Sequence, residues 1–202
     1  MPNEHIGLAE RILRDINIGT FGPDEWLKQV SLAERYSATR IATRQALDEL
    51  VAKRVIQHRP NYGYRVYSLS ETQRKEIAAV RSLLEAATAD DIVANATPED
   101  IAALQASAEE FKAAAYDGTI MAQRTANQAF HRRLLLLCGN QTLTELIQDL
   151  RQRGPAAPVT RWRTVAQLEK STVDHFKMVE AIKSRSSGEL RRIIVDHVNN
   201  AE

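Results

Sequence analysis

Residues 32–47 have the sequence LAERYSATRIATRQAL, and this stretch decides the fold of the first third of the chain. It predicts two helices joined by a short turn. The first covers residues 29–36, and the second begins after Thr39, a residue typical of a helix N-cap, and continues to Lys53. We expect the apolar face of the second helix to consist of Ile41, Ala42, Ala46, Leu47, Leu50 and Val51.

The segments on either side complete a small domain. A helix is predicted over residues 5–18, with Gly19 as its stop signal. After the central pair of helices, residues 55–58 and 64–67 have the composition of strands, and the residues between them are typical of a turn. Three helices followed by a hairpin form the layout of a winged helix-turn-helix, which we assign to residues 1–68.

The second helix of this domain carries candidate DNA-binding residues. Arg40 and Arg44 are four positions apart and therefore project from one face, and Thr39 and Thr43 flank them. Arginine donates in pairs to guanine or to phosphate, and the first turn of a recognition helix is where such contacts are made. Arg59 and Gly63, at the hairpin tip, are the further candidates. An arginine pair alone is more often a solvated helix face, but the order of the surrounding elements favours DNA binding.

Charge and composition restrict the classes of protein that remain. The chain has 202 residues and a net charge of +1, which excludes a uniformly basic coat, yet residues 38–65 contain six Lys and Arg against two acidic residues. The single cysteine, Cys138, excludes an intramolecular disulfide and any cluster of several cysteines around a metal. No apolar run is long enough to span a membrane, and the N-terminus lacks the apolar region of a signal peptide. These features predict a cytoplasmic protein.

Residues 69–202 are predicted to be almost entirely helical. Ser70 and Gln73 form a capping box that opens a long helix ending near Asn95, and Thr97 caps the next helix with Pro98 at its first position. Further helices are predicted over 98–116, 119–138, 141–153, 162–185 and 188–200. The predicted fold is mainly α, a winged helix-turn-helix followed by an antiparallel bundle of about six helices.

Three of the five histidines fall in this helical region, each on a different predicted helix. They are His131, His175 and His197, and Asn127 precedes His131 by four positions, on the same helix face. Three imidazoles with an amide can bind a divalent metal if the helices bring them together. A single histidine in a helix is more often a surface or core residue, and the spacing alone does not establish convergence.

The central stretch resembles the recognition motif of GntR-family transcriptional regulators. That motif has the pattern LA-x-x-LG-V-SR-T-P-V-R-E-A-L, and both of its arginines are present here as Arg40 and Arg44. The departures are Thr39 for the family serine, Ile41-Ala42 for Thr-Pro, and Thr43 for Val. The resemblance covers about residues 5–68 and implies double-stranded DNA with a palindromic operator as the partner, bound by a homodimer.

The helical region resembles the FCD domain of the FadR-type GntR regulators. The segment NQAFHRRL at 127–134, with the following Gly139-Asn140, resembles the D-x-x-FH-x-x-L and GN motifs, and Asp174-His175 resembles a later EH pair. With about six helices, the region is similar to the VanR-like subgroup. The resemblance implies that residues 69–202 sense an effector and dimerise, and that a divalent metal, zinc or nickel, is bound by Asn127, His131, His175 and His197. Asn127 replaces the family's Asp and brings no charge.

Val80-Arg81-x-x-Leu84-Glu85 resembles the first helix of the same domain. This makes Arg81 our candidate for binding the carboxylate of a small organic-acid effector. The alternative for Arg81 is a structural ion pair with Glu85, four positions along the helix, and the residues do not decide between the two.

The predicted function is therefore a DNA-binding repressor, not an enzyme, whose affinity for DNA is controlled by a small carboxylate. One alternative is a metal-dependent hydrolase with an accessory helix-turn-helix, although no His-Glu-x-x-His motif and no convincing general base are present. The other is a regulator in which the metal ion itself is the effector.

Overall fold

The computed structural model describes residues 7–152 and 164–200, which divide into two compact units. The first contains residues 7–69, and the second contains residues 70–152 and 164–200. Within these ranges, none of the helices has the length and apolar character needed to cross a membrane.

The first unit contains the three predicted helices and the predicted hairpin, with one further short strand between the first two helices. The helices are α1 (Leu8–Asn17), α2 (Gln29–Tyr36) and α3 (Arg40–Ala52), and the strands are β1 (Trp26–Leu27), β2 (Ile56–Arg59) and β3 (Gly63–Val66). The predicted winged helix-turn-helix is confirmed. The predicted start of α1 at residue 5 lies outside the described residues.

The wing is an antiparallel sheet with the order β1-β3-β2, and only the β2–β3 hairpin was predicted. Trp26 pairs with Arg65 and Leu27 pairs with Tyr64, so β1 joins the hairpin from the loop before α2. A strand of two residues is too short to show the alternation by which strands are found in a sequence, so the pairing becomes visible only when the chain folds back.

The core of this unit contradicts one of our expectations for α3. The buried residues of the helix are Thr43, Ala46, Leu47 and Leu50, spaced as one stripe that faces α1 and the sheet. Ile41, which we placed on this face, is instead 73% exposed. It lies two positions before Thr43, which rotates it by about 200° around the helix axis and away from the core.

The second unit is a bundle of helices. They are α4 (Glu71–Ala87), α5 (Ala89–Asn95), α6 (Pro98–Asp117), α7 (Ile120–Leu135), α8 (Gln141–Gln152), α9 (Val165–Lys183) and α10 (Ser187–Asn200). The predicted capping box of Ser70 and Gln73 opens α4, and Thr97 caps α6. Position 153 of the predicted fourth bundle helix and positions 162–163 of the fifth lie outside the described residues.

The long helix predicted from Ser70 to Asn95 is divided at Thr88. The buried Thr88 hydroxyl donates to the Glu85 carbonyl at 2.7 Å, and the Thr88 amide bonds to the same oxygen at 3.2 Å. A threonine that bonds back to the preceding turn bends a helix, which explains the break between α4 and α5. The described part of the bundle therefore has seven helices rather than the six on which the VanR-like resemblance rested.

The packing of the helices in this unit brings together the elements that carry the three histidines. α4 packs against α10 and α8, α6 packs against α7 and α9, and α10 also packs against α9. The buried apolar core includes Leu104, Phe130, Met178, Ile182, Leu190 and Val198. Because α7, α9 and α10 each supply one of the three histidines, their packing decides whether those side chains meet.

Candidate functional site

The turn between α2 and α3 is built by three consecutive residues. Ser37 adopts a left-handed conformation with φ of 52°, which ends α2 and redirects the chain. Thr39 then caps α3, as predicted, because its hydroxyl oxygen accepts a hydrogen bond from the Ala42 amide at 3.1 Å. The N-terminus of α3 is thereby fixed against α2 in the arrangement of a helix-turn-helix.

The two predicted arginines of α3 are exposed at its N-terminal end. Arg40 is the first residue of the helix, and Arg44 lies one turn later with its Nε 3.8 Å from Asp48 Oδ2. Both members of that ion pair remain largely exposed, so it is weak and leaves Arg44 able to change partners. The solvent-facing surface of α3 therefore presents two mobile guanidinium groups.

Thr43, predicted as a DNA-binding residue, is in the wrong place for that role. Its side chain is fully buried, and its hydroxyl donates to the Thr39 carbonyl at 2.9 Å. The helical period turns Thr43 towards the core when Arg40 and Arg44 point to solvent, so its side chain packs in the core and presents nothing to a ligand.

The wing is tied to α3 by one buried side chain. The Tyr64 hydroxyl, on β3, donates to Asp48 Oδ1 at 2.5 Å, so Asp48 faces both the wing and Arg44. Burial is the main cause that raises the pKa of Tyr64, and the hydrogen bond to the Asp48 carboxylate is the second. The hydroxyl therefore stays protonated and donates to Asp48. A groove of about 510 Å³ between α3 and the wing is lined by Gln29, Arg44, Asp48, Val51, Ala52, His58 and Tyr64.

The hairpin tip carries the other two predicted DNA-binding residues. Arg59 ends β2 and is exposed, and it pairs with Gly63 at the start of β3. Gly63 has φ of 103°, a conformation that glycine adopts without a steric penalty. Between them, Tyr62 projects from the tip with 78% of its surface exposed, a feature that the sequence analysis did not single out.

In the second unit, His131, His175 and His197 converge from three helices. The Nε2 atom of His131 lies 3.1 Å from Nε2 of His197 and 3.2 Å from Nε2 of His175. All three side chains are buried, and their ligand atoms lie within 4.8 Å of one another. The spacing along the chain left this convergence open, whereas the resemblance to the FCD domain implied it.

The distances fit a shared metal ion better than hydrogen bonds. An imidazole nitrogen carries either one hydrogen or one lone pair, so Nε2 of His131 cannot form a linear hydrogen bond to each of two neighbours. Two nitrogens bound to one tetrahedral zinc ion at about 2.05 Å lie about 3.3 Å apart, close to the 3.1 and 3.2 Å that separate Nε2 of His131 from the other two rings. The pKa of His131 also lies well below its usual value, which keeps the ring neutral. Burial is the main cause, and the charges of Arg151, His175, His197 and Arg81 add to it.

Asn127 lies one helical turn before His131 on α7. Its Oδ1 atom is buried and has no hydrogen-bond partner within the part of the chain that the structure describes. A buried carbonyl oxygen without a partner is unfavourable, and a cation relieves that cost. The three imidazoles therefore fit a divalent metal, and Asn127, one turn before His131, is the candidate for a fourth ligand.

Neighbouring side chains orient two of the three rings. Asp174 Oδ2 lies 3.4 Å from Nδ1 of His197, and Lys170 contacts the same oxygen at 3.0 Å. Burial raises the pKa of Asp174, but the hydrogen bonds from His197 and Lys170 outweigh it and lower the pKa overall, so the carboxylate is ionised. A carboxylate on the far nitrogen fixes the ring and leaves Nε2 for a metal.

The ring of His175 packs against two aromatic side chains. It stacks on Phe130 with the ring centroids 4.0 Å apart and lies 4.7 Å from the ring of Phe111. Asp174 is the sequence neighbour of His175, but it supports His197, because adjacent helix positions face different directions. Sequence inspection missed this link because the two residues lie on different helices.

Arg81 forms the buried ion pair with Glu85 that the sequence left open as an alternative. Arg81 Nε donates to Glu85 Oε1 at 2.9 Å, and Arg151 on α8 contacts the same carboxylate. Burial opposes ionisation of Glu85, but Arg151 and Arg81 hold its pKa below the usual value. Arg151 was not predicted, since nothing in the local pattern of α8 distinguishes it.

Comparison with known proteins defines the class. Residues 76–200 match the FCD domain, and residues 7–66 match the bacterial regulatory proteins of the gntR family. The chain belongs to the GntR family of transcriptional regulators, with an FCD domain after its helix-turn-helix.

The similar proteins agree with this assignment. The transcriptional repressor GlaR of Escherichia coli is 29% identical over 192 residues, which cover 91% of this chain and 87% of GlaR. The E. coli regulator McbR is 24% identical, and its solved structure has a TM-score of 0.73 with 98% of this chain and 95% of that chain covered. A putative GntR regulator from Rhodococcus sp. RHA1 has a TM-score of 0.72 at 17% identity, covering 96% of this chain and 93% of its own.

The relatives are named as transcriptional regulators, so the chain is a DNA-binding regulator, not an enzyme. The hydrolase alternative is not favoured.

Proposed function

We propose that the protein is a repressor that binds a palindromic operator as a homodimer and releases it when a small carboxylate binds next to a divalent metal in the FCD domain. The observation that carries the proposal is the convergence of three histidine side chains, with Nε2 of His131 at 3.1 and 3.2 Å from Nε2 of His197 and His175. We place its action in the cytoplasm, where bacterial DNA lies.

The DNA interface is proposed to use the N-terminal end of α3 and the wing tip. Arg40 and Arg44 face solvent at the start of α3, where side chains of a recognition helix contact base edges and phosphates. The capping residue Thr39 fixes the helix end, and its exposed methyl and hydroxyl groups lie beside the arginines. Arg59 and Gly63 bring the wing backbone and one positive charge towards the neighbouring DNA strand.

Asn127, His131, His175 and His197 would hold the metal. When bound, a divalent ion supplies positive charge and open coordination positions that attract a carboxylate. The side chains themselves are all neutral donors, so they leave that charge uncompensated, and Asp174 contributes its negative charge only through His197. A charge-neutral donor set favours an anionic effector over a neutral one.

Arg81 and Arg151 are proposed to add positive potential for the same effector. Both contact Glu85, and both lower the pKa of His131, so their charges reach the histidine cluster. Guanidinium groups bind carboxylates in a planar, two-point geometry. An effector that draws Arg151 away from Glu85 would also remove a contact between α8 and α4.

Release of DNA is proposed to be a shift between two dimer arrangements. A dimer contacts two half-sites one helical turn apart, about 34 Å, so a small rotation of its subunits moves both recognition helices off their sites. The effector needs only to bind one arrangement more tightly than the other.

The test is a DNA-binding titration on the full chain, using an operator selected from random duplexes. The arms are metal-free protein, zinc- or nickel-loaded protein, and loaded protein with a panel of acetate, succinate and citrate. We expect release only with metal and a carboxylate together, and its loss in His131→Ala. Gln128→Ala, an exposed change beside Asn127, is the matched control and should behave as wild type.

The same titration distinguishes a regulator that senses the metal ion itself from one that senses a carboxylate bound next to the metal. If metal alone changes DNA affinity and no carboxylate adds to the effect, the ion itself is the effector. If DNA binding is unaffected by every combination, the sensing role assigned to the histidine site is wrong, and DNA binding itself remains to be judged by the operator selection.

A further inference from the structure

Ile41 occupies an unusual position on α3. It is 73% exposed, in the first turn of the helix and between the two exposed arginines. The residues that share its face by helical spacing are Arg44, Gln45 and Asp48, all polar and exposed. A large apolar side chain therefore stands alone on a charged surface.

Neither core packing nor helix formation accounts for this isoleucine. The core of the unit uses the opposite stripe of α3, formed by Thr43, Ala46, Leu47 and Leu50. Isoleucine is also a poorer helix former than alanine or the straight-chain polar residues, so an exposed helix position gains nothing from it. Single exposed apolar residues are common on proteins, so the argument rests on where Ile41 lies rather than on exposure alone.

The chemistry of the side chain limits what it can contact on DNA. Isoleucine has no donor or acceptor, so it cannot bond to a phosphate or to the polar edge of a base. The apolar group that a standard base pair presents in the major groove is the 5-methyl group of thymine. The geometry points to Ile41 as a residue that selects thymine in the operator, through van der Waals contact with that methyl group.

This inference rests on the proposed role of α3 in DNA binding and adds a base preference to it. Arg40 precedes Ile41 and Arg44 lies one turn after it on α3, so the thymine should be adjacent to a base or phosphate that one of these arginines contacts. In a symmetric operator, the thymine should occur once in each half-site.

The experiment replaces thymine by deoxyuridine, which removes the 5-methyl group and nothing else. The full chain first selects its operator from random duplexes, and each thymine is then replaced in turn in both half-sites. At one position, we expect wild-type affinity to fall about fourfold per half-site, the value for one methyl-sized group removed from contact. Ile41→Ala should bind the thymine and deoxyuridine duplexes equally at that position.

Ile18→Ala is the matched control, because Ile18 is a 55% exposed isoleucine of the same unit that lies outside α3. It should retain the wild-type response to deoxyuridine. Ile41→Ala should fold normally, since alanine is the better helix former, and a thermal melt checks this.

Equal binding of every deoxyuridine duplex by the wild type would overturn the inference and leave the proposed function standing. The same conclusion follows if Ile41→Ala keeps the full response to deoxyuridine. If the chain selects no duplex at all, the proposed function fails and the inference fails with it.

Discussion

Arg151 Nη1 lies 2.8 Å from Oε1 and 2.7 Å from Oε2 of Glu85, which joins α8 to α4 inside the helical unit. Arg81 reaches the same carboxylate from one turn earlier on α4. All three groups are buried or nearly so, so water screens the attraction of the Glu85 carboxylate for the two arginines only weakly. Glu85 is therefore the carboxylate that Arg81 and Arg151 share.

Glu85→Gln should lower the free energy of unfolding by about 3 kcal/mol, because it leaves two buried guanidinium groups without their carboxylate. Urea denaturation followed by circular dichroism measures the change. Glu76→Gln, an exposed change on the same helix, is the control and should stay within about 0.5 kcal/mol of wild type. A loss of equal size in both variants would contradict the assigned role of Glu85.

Stability should also depend on pH through Glu85. The pKa of this group is lowered in the folded state, so its contribution is present above the unfolded pKa and is lost as pH falls through the folded value. We expect the difference in stability between wild type and Glu85→Gln to be largest near pH 7 and to shrink on acidification below about pH 4.5. A difference that does not change with pH would show that Glu85 is not ionised in the folded protein.

Asn127→Asp should raise the affinity for zinc at least about tenfold, because a negative charge replaces a neutral oxygen among the proposed ligands. Competition with a coloured chelator measures the affinity. Gln128→Asp adds the same charge at the next, exposed position of α7 and should change the affinity little. Equal gains from the two variants would place Asn127 outside the site.

Asp174→Asn should weaken zinc binding about tenfold, because the amide no longer provides a charged acceptor for Nδ1 of His197. Asp196→Asn is the control on α10, since Asp196 is exposed and pairs with Arg192. Both variants should keep the wild-type circular dichroism spectrum. If Asp174→Asn binds zinc as tightly as wild type, the orienting role of Asp174 is wrong.

Arg40→Ala with Arg44→Ala should reduce operator affinity about 30-fold or more and flatten its dependence on salt. Fluorescence anisotropy at several salt concentrations measures both quantities. Arg192→Ala removes an exposed arginine of the helical unit and should leave both unchanged. If the double variant still binds the operator specifically, the assignment of α3 as the recognition helix is wrong.

Local signals predicted most helix ends because the determining contacts lie within one turn. Ser70 with Gln73, and Thr39 with Ala42, are contacts of residues three apart, so the sequence alone identifies them. The division at Thr88 was missed because it depends on how one threonine hydroxyl bonds inside an otherwise strong helical pattern. Strand β1 was missed because a strand of two residues is too short to show an alternation of apolar and polar side chains.

The sequence predicted some residues of the histidine site and missed others, because only contacts between residues close in the chain leave a pattern in the sequence. The three histidines and Asn127 were found from their motif, whereas Arg151 and Asp174 were not. Arg151 lies 66 positions from Glu85, and Asp174 lies 23 positions from His197, so no spacing along the chain connects them. Thr43 and Ile41 were assigned to the wrong sides of α3, since a short helix with mixed composition does not define its core face without the elements that pack on it.

By itself, the sequence determined most of the helices and their caps, the β2–β3 hairpin, the two arginines of α3 and the set of histidines, since all of these depend on neighbours in the chain. Tertiary structure decided which residues meet. Helix packing brings Nε2 of His131 to 3.1 Å from that of His197, buries Thr43 and exposes Ile41. These outcomes depend on the rotation of each helix about its own axis, which the burial of apolar surface fixes only when all the helices pack together.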